Sequence, residues 1–232
     1  MPKKKLAHFA ELKTFKNVIQ SGFKDIFGEN HALKGKWSEQ IFENNLPLTV
    51  ELGCGKGEFT IGLARKYPQV NFIGVDIKGA RIWRGAKTAL EENIHNSAFL
   101  RTRIEFTRSF FEEDEISEIW LTFPDPQPKK KRKRLSSPVF LNLYRTFLKN
   151  NGIIHLKTDN QDLYNYTLRV ALFNNLPIEF NTDDLYTAHP DCEAAQIQTF
   201  YENQYLKMGK KIHYLRFRLP AKTTILDFSN NE

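Results

Sequence analysis

A chain of 232 residues with 41% hydrophobic and 13% aromatic content is long and apolar enough to bury a full core. Its two cysteines, Cys54 and Cys192, exclude a disulfide framework, and the absence of any CxxC pair together with singly scattered histidines leaves no structural metal to expect. With no apolar run of the ~18 residues a membrane span needs and no apolar signal-peptide centre, the composition points to a cytoplasmic, unprocessed protein without a membrane partner.

Residues 1 to 45 are Lys-rich and polar, with Gly22, Gly28 and Gly35 interrupting any long helix, and are expected to form a partly mobile N-terminal extension. Residues 46 to 232 are expected to form a single domain. There, short apolar runs alternate with helix-like stretches: "PLTVELG", "EFTIGLARKY", "NFIGVD", "ARIWRGAKTALEEN", "AFLRTRIEF", "EIWLTF", "SPVFLNLYRTFLKN", "GIIHLKT" and "QDLYNYTLRVALFNN". Such alternation predicts βαβ units and a doubly wound, Rossmann-like α/β sheet, mostly parallel. Asn151-Gly152 is expected to close a helix that starts near Ser136, and Asn174-Asn175 with Pro177 to end the next. The imperfect alternation in "KKIHYLRFRLP" predicts a last, antiparallel strand near an edge.

At the end of the first of these strands, "ELGCGKGEF" sets Gly53, Gly55 and Gly57 in a strand-to-helix turn. Glycines there let backbone approach a ligand and leave helix N-terminal amides to hold it. The dinucleotide pattern G-x-G-x-x-G fails at its last position, which is Glu58. Asp76, at the end of "NFIGVD", is placed to accept the hydroxyls of a ribose, and Glu51 to face an α-amino group. A helix N-cap at Asp76 and a plain strand-end charge at Glu51 are the alternatives.

Further along, "EIWLTF" leads into Pro124-Asp125-Pro126, where flanking prolines preset the backbone around a carboxylate. Six consecutive basic residues, Lys129 to Arg134, follow and account for six of the formal net charge of +7. A nuclear localisation signal and a solvated face compete here with a grip on nucleic acid. The run's position between a core strand and a core helix, at the edge where ligands bind, favours the grip.

Taken in order, "ELGCGKGEF", "FPDPQPKKKRKRL", "LKTDN" and "TFYE" resemble the motifs of the bacterial tRNA (guanine-N7-)-methyltransferases, S-adenosyl-L-methionine enzymes of the class I methyltransferase fold. The resemblance spans residues 51 to 202. It implies that Glu51, Gly53, Gly55, Gly57, Asp76 and Asp125 bind the methyl donor, with Asp125 also catalytic where donor and guanine meet. It further implies that Lys129, Asp159, Thr199, Phe200, Tyr201 and Glu202 hold the substrate base, and that Lys131, Arg132, Lys133, Arg134, Leu135 and Ser136 lie against tRNA. Members of that family methylate guanine at position 46 in the variable loop. Two departures stand out. Ser109 falls where the family usually has an acid facing adenine and is the cofactor-binding candidate there, beside backbone amides or a neighbouring strand, and the run lacks the family's histidine, with Gln127-Pro128 in place of an aromatic and its successor.

Guanine N7 carries a free lone pair and no proton, so the chemistry expected is positioning without a general base. Asp159 and Glu202 are candidates to accept hydrogens from the guanine N1 and exocyclic amine. Asp159 as a helix N-cap and "TFYENQYL" as a core-packing aromatic stripe are the bland alternatives. A nucleotide-dependent dehydrogenase and a non-catalytic RNA-binding protein remain the competing functions, and monomer or homodimer stays open.

Overall fold

In a computed structural model, residues 2–22 and 26–228 are described. Residues 1 and 23–25 of the expected N-terminal extension, and 229–232 of the tail, lie outside them. The chain divides into two compact units, residues 1–116 and 117–232.

The first unit contains α1 (Pro2–Leu12), β1 (Val18–Gln20), β2 (Leu48–Leu52), α2 (Glu58–Lys66), β3 (Asn71–Asp76), α3 (Gly79–Glu91) and β4 (Ser97–Arg101). Its strands run in the order β1-β4-β3-β2 and every pair is parallel, with Val18 opposite Phe99, Phe72 opposite Ser97 and Leu48 opposite Asn71. All five residues of β2 and the first five of β3 are buried, as expected of parallel strands covered on both faces. Helix α3 is the amphipathic cover, sinking Ile82, Ala86 and Ala89 into a cluster with Ile61 and Phe99.

Residues set apart by sequence as an extension join this unit. Leu12 of α1 is fully buried in the same cluster. His8 stacks on Trp83 at 3.7 Å between ring centroids, and the Trp83 indole donates to Glu11 at 2.8 Å. Strand β1 pairs with β4. Trp37 is also fully buried, donating its indole N–H to the Phe110 carbonyl at 2.8 Å. Too few apolar residues carry these contacts to raise a helical period in a lysine-rich segment.

The second unit contains β5 (Ile116–Thr122), α4 (Pro138–Tyr144), β6 (Leu148–Thr158), α5 (Gln161–Phe173), β7 (Ile178–Thr182), α6 (Leu185–Ala188), α7 (Phe200–Lys207) and β8 (His213–Leu219). The expected C-terminal strand is β8, antiparallel to β6 through Ile154 opposite Phe217 and to β7 through Thr182 opposite Tyr214. The doubly wound α/β class expected from the alternation is observed.

One helix boundary differs. The helix expected to run from Ser136 to Asn150 ends at Tyr144, and Asn151-Gly152 lies inside β6. Asn151 has φ +58°, and a Cβ on Gly152 would fall 2.6 Å from Leu148 Cγ. The Asn-Gly pair therefore reverses the chain within the strand's first residues, where it was read as a helix stop. The other stop holds: α5 ends at Phe173, with Asn174 capping and Asn175 left-handed.

Candidate active site

The glycine turn of the first unit is built from two acids. All three glycines are left-handed, with φ +80°, +56° and +72° at Gly53, Gly55 and Gly57. The amides of Gly53 and Cys54 both donate to the Val75 carbonyl, at 2.8 and 3.0 Å, and the amide of Gly55 donates to Asp76 Oδ2 at 3.0 Å. Asp76 Oδ1 accepts the Lys78 amide at 2.7 Å, so Asp76 shapes the turn while staying partly exposed. Glu51 is buried, accepting the Thr60 amide at 2.9 Å and the Thr60 hydroxyl. It therefore caps the N-terminus of α2 from the neighbouring strand, where its charge suits the positive end of the helix.

Gly57 meets a tighter requirement than handedness. A Cβ there would fall 2.5 Å from Phe99 Cε1, and one on Gly85 would fall 2.7 Å from the Lys56 carbonyl oxygen. The pair lets α3 close on the turn. Gly85, in mid-helix, was missed by motif reading, although a glycine inside a helical stretch signals a packing requirement. At Gly55 a Cβ would find no atom nearer than the Gly53 oxygen at 4.0 Å, leaving an open face of backbone. An open glycine face with a partly exposed carboxylate beside it fits a nucleoside such as that of S-adenosylmethionine. Ser109 is 7% exposed, and its hydroxyl donates to the Ile26 carbonyl at 3.3 Å. That bond ties it to the N-terminal segment.

In the second unit, the residues after β5 form a preset loop. Phe123 and Gln127, both non-glycine, take left-handed φ values of +46° and +44° on either side of Pro124-Asp125-Pro126. The Phe123 amide donates to the Lys157 carbonyl at 2.8 Å. Asp125 is exposed, and Gln127 holds both its oxygens, through its amide N–H at 3.1 Å and its side-chain Nε2 at 2.9 Å. Gln127 therefore orients the carboxylate expected to be central.

The basic run divides. Lys129 to Lys133 are exposed, whereas Arg134 is 4% exposed, donating Nε–H to the Pro126 carbonyl at 2.9 Å and lying 4.5 Å from the Tyr166 ring centroid. Ser136 is buried, its hydroxyl 2.6 Å from that of Thr167. Arg134 and Ser136, both expected to contact RNA, are thus buried, unlike Lys129 to Lys133. Leu135 is half-buried.

Of the predicted base-binding residues, Lys129 is exposed in the loop after β5, and the others lie around the end of β6 and the start of α7. Asp159 follows β6 and accepts Lys210 Nζ at 2.7 Å. It is not the cap of α5; Asn160 takes that role, accepting the Leu163 amide at 2.8 Å. Thr199 and Glu202 form a capping box on α7, with Glu202 Oε2 accepting the Thr199 amide at 3.2 Å and Thr199 Oγ1 the Glu202 amide at 3.3 Å. Phe200 and Tyr201 are 52% and 48% exposed, so the aromatic pair is not a core stripe. Glu202, by contrast, has no exposed side-chain surface and lies 2.6 Å from Nζ of the equally buried Lys157. In this arrangement its carboxylate serves Lys157 and the helix cap, not an open pocket. Lys157 was missed by motif reading, although a lysine inside the apolar, buried C-terminal part of a strand signals a partner.

Residues 45–215 match the model of a family described as putative methyltransferases. The tRNA (guanine-N(7)-)-methyltransferase of Christiangramia forsetii is 51% identical over 220 residues, covering 94% of this chain and 98% of that protein. This chain belongs to the tRNA (guanine-N7-)-methyltransferase family. The Bacteroides fragilis member is 48% identical over 222 residues, 96% of this chain and 88% of that one. Among solved structures, the 16S rRNA methyltransferase KamB superposes with a TM-score of 0.60 at 13% identity, over 78% of this chain and 92% of that one, a likeness of fold. Membership in this methyltransferase family excludes the dehydrogenase. Among the described residues no three His, Cys, Asp or Glu side chains gather as a metal site, and no helix is long and apolar enough to cross a membrane.

Proposed function

We propose that this protein methylates N7 of guanine 46 in the variable loop of tRNA, using S-adenosyl-L-methionine and releasing S-adenosylhomocysteine, in the cytoplasm. Beyond family membership, the observation that carries the reading is the preset loop after β5, where two left-handed residues flank an exposed Asp125 held at both oxygens by Gln127. A carboxylate fixed in this way is suited to an interaction that must be in place before the transition state forms.

The first unit supplies the donor residues in this proposal: the open backbone of Gly55, the carboxylate of Asp76 for the ribose, and the buried Glu51 holding the turn in shape. When bound, S-adenosylmethionine supplies a sulfonium methyl, which guanine N7 takes with its own lone pair while the sulfur keeps the electrons of the broken bond. No proton leaves N7, so the protein needs no general base and contributes alignment. Asp159 accepts hydrogens from the guanine edge, selecting it over adenine and offsetting the charge gained on the ring. Tyr201 or Phe200, exposed at the start of α7, offers a face for an unstacked base. Lys129 reaches towards the substrate base, and Lys131, Arg132 and Lys133 meet phosphates.

The test is incubation with methyl-labelled donor and unmodified tRNA, followed by digestion and identification of the labelled nucleoside. Labelled 7-methylguanosine from the variable loop is the expected result. Tight tRNA binding without transfer would instead favour a non-catalytic RNA-binding protein.

A further inference from the structure

Lys157 stands two residues before Asp159 and its side chain has no exposed surface. Its ammonium group lies 2.6 Å from Glu202 Oε1 and donates to the carbonyls of Ala194, at 2.5 Å, and Ile197, at 3.0 Å. Glu202 also accepts the Tyr186 hydroxyl at 2.7 Å and the Thr199 amide at 3.2 Å. Through its own carbonyl, Lys157 takes the Phe123 amide that begins the Asp125 loop, at 2.8 Å. One residue thus ties together the loop after β5, the end of β6, the segment before α7 and the cap of α7. Those segments carry Asp125, Asp159, Thr199 and the aromatics Phe200 and Tyr201.

A buried ion pair is a poor device for stability alone, because desolvation offsets most of its attraction and apolar replacements of like volume often serve as well or better. Its attested use is to fix one geometry among several that would pack. We propose that Lys157 is a positioning residue for the target base: it sets the Thr199–Glu202 turn against the end of β6 in the arrangement that receives guanine, without touching the base. The inference rests on the guanine-N7 methyl-transfer reading of the site.

The test compares wild type, Lys157→Met, and the double variant Lys157→Met with Glu202→Leu, measuring melting temperature, tRNA and S-adenosylmethionine affinity, and single-turnover formation of 7-methylguanosine. Lys157→Met strands the Glu202 charge and is expected to melt earlier. The double variant removes both charges and is expected to regain part of the lost melting temperature, short of wild type because the α7 cap and the Tyr186, Ala194 and Ile197 hydrogen bonds go with them. In both, the methyl-transfer rate at saturating tRNA is expected to fall about 100-fold, the scale of a misplaced reactant, with both affinities retained. A double variant that regains the rate along with the melting temperature would make the pair structural and overturn the proposal, as would a Lys157→Met enzyme of wild-type rate. A wild type that makes no 7-methylguanosine overturns the site reading itself, an outcome distinct from either.

Discussion

Gln127 gives Asp125 two hydrogen bonds, one from its backbone amide, which any non-proline residue could donate, and one from its side-chain Nε2, which a phenyl ring or a methyl group could not. Asp125→Ala is therefore expected to lower turnover by about 100-fold or more, the cost of losing a preorganised electrostatic group. Dissociation constants for tRNA should barely move, and unchanged turnover would remove Asp125 from catalysis. Gln127→Ala should reproduce part of that loss while leaving the carboxylate itself in place. At Gly57 the requirement is steric. The left-handed backbone alone makes Gly57→Ala less stable by about 1–2 kcal/mol, and the Phe99 ring, 2.5 Å from the added carbon, adds to it. Chemical denaturation of the variant, read beside its donor affinity, checks both. Asp76, the glycines and Asp125 were legible in the sequence because each sits in a short motif at a strand end. The Lys157–Glu202 pair was not, since its partners lie 45 positions apart and meet through the fold.

Among the elements, the basic run and the segments flanking it diverge most from their sequence reading. Six charges in a row look equivalent, yet Arg134 turns inward to Pro126 and Tyr166. Nothing within the run marks which residue this will be, because Tyr166 stands on another helix. With five exposed cations the dependence of log K on log salt should have a slope no steeper than about −3.5 to −4.5, according to strand form. Neutralising Lys131, Arg132 and Lys133 should weaken binding to many tRNAs alike and flatten that slope, since phosphate contacts position without specifying. Arg134→Ala should leave the slope of the folded protein nearly unchanged and lower its melting temperature. A salt slope that flattened as much for Arg134→Ala as for each lysine would count against the buried assignment. The helix starting near Ser136 was legible, but its end was not: Asn-Gly reverses a chain equally well at a helix stop and within a strand, and local sequence does not choose between them.

For the molecule as a whole, the α/β class and the antiparallel C-terminal strand were legible because period and turn chemistry recur along the chain, whereas β1, at three residues, is too short to show a period. Stability of the folded chain should also depend on pH in a stated direction. His155 is buried against Trp120 at 3.7 Å, and burial lowers its pKa below the ordinary 6.5 despite the hydrogen bond to Glu118. Burial lowers that of His31 as well. A base whose folded pKa is depressed binds its proton more readily when unfolded, so its contribution is present above about pH 6.5 and is lost as pH falls towards the folded value. Each such histidine adds at most about 1.4 kcal/mol per pH unit. Melting curves from pH 7.5 to 5 should therefore fall with acidity, and more steeply in wild type than in His155→Gln; parallel curves would contradict this.

The Arg134 bond to the Pro126 carbonyl closes the basic segment into a loop, which the turns Gln127 to Lys130, Lys130 to Lys133 and Lys131 to Arg134 fold further. A free lysine-rich tail surrenders its backbone freedom when it meets a polyanion, and that loss subtracts from affinity. Here the loss falls on the folding equilibrium, so that, in the proposed tRNA reading, the cations would present a fixed spacing to incoming phosphates and the rigidity of the loop would become part of the binding free energy.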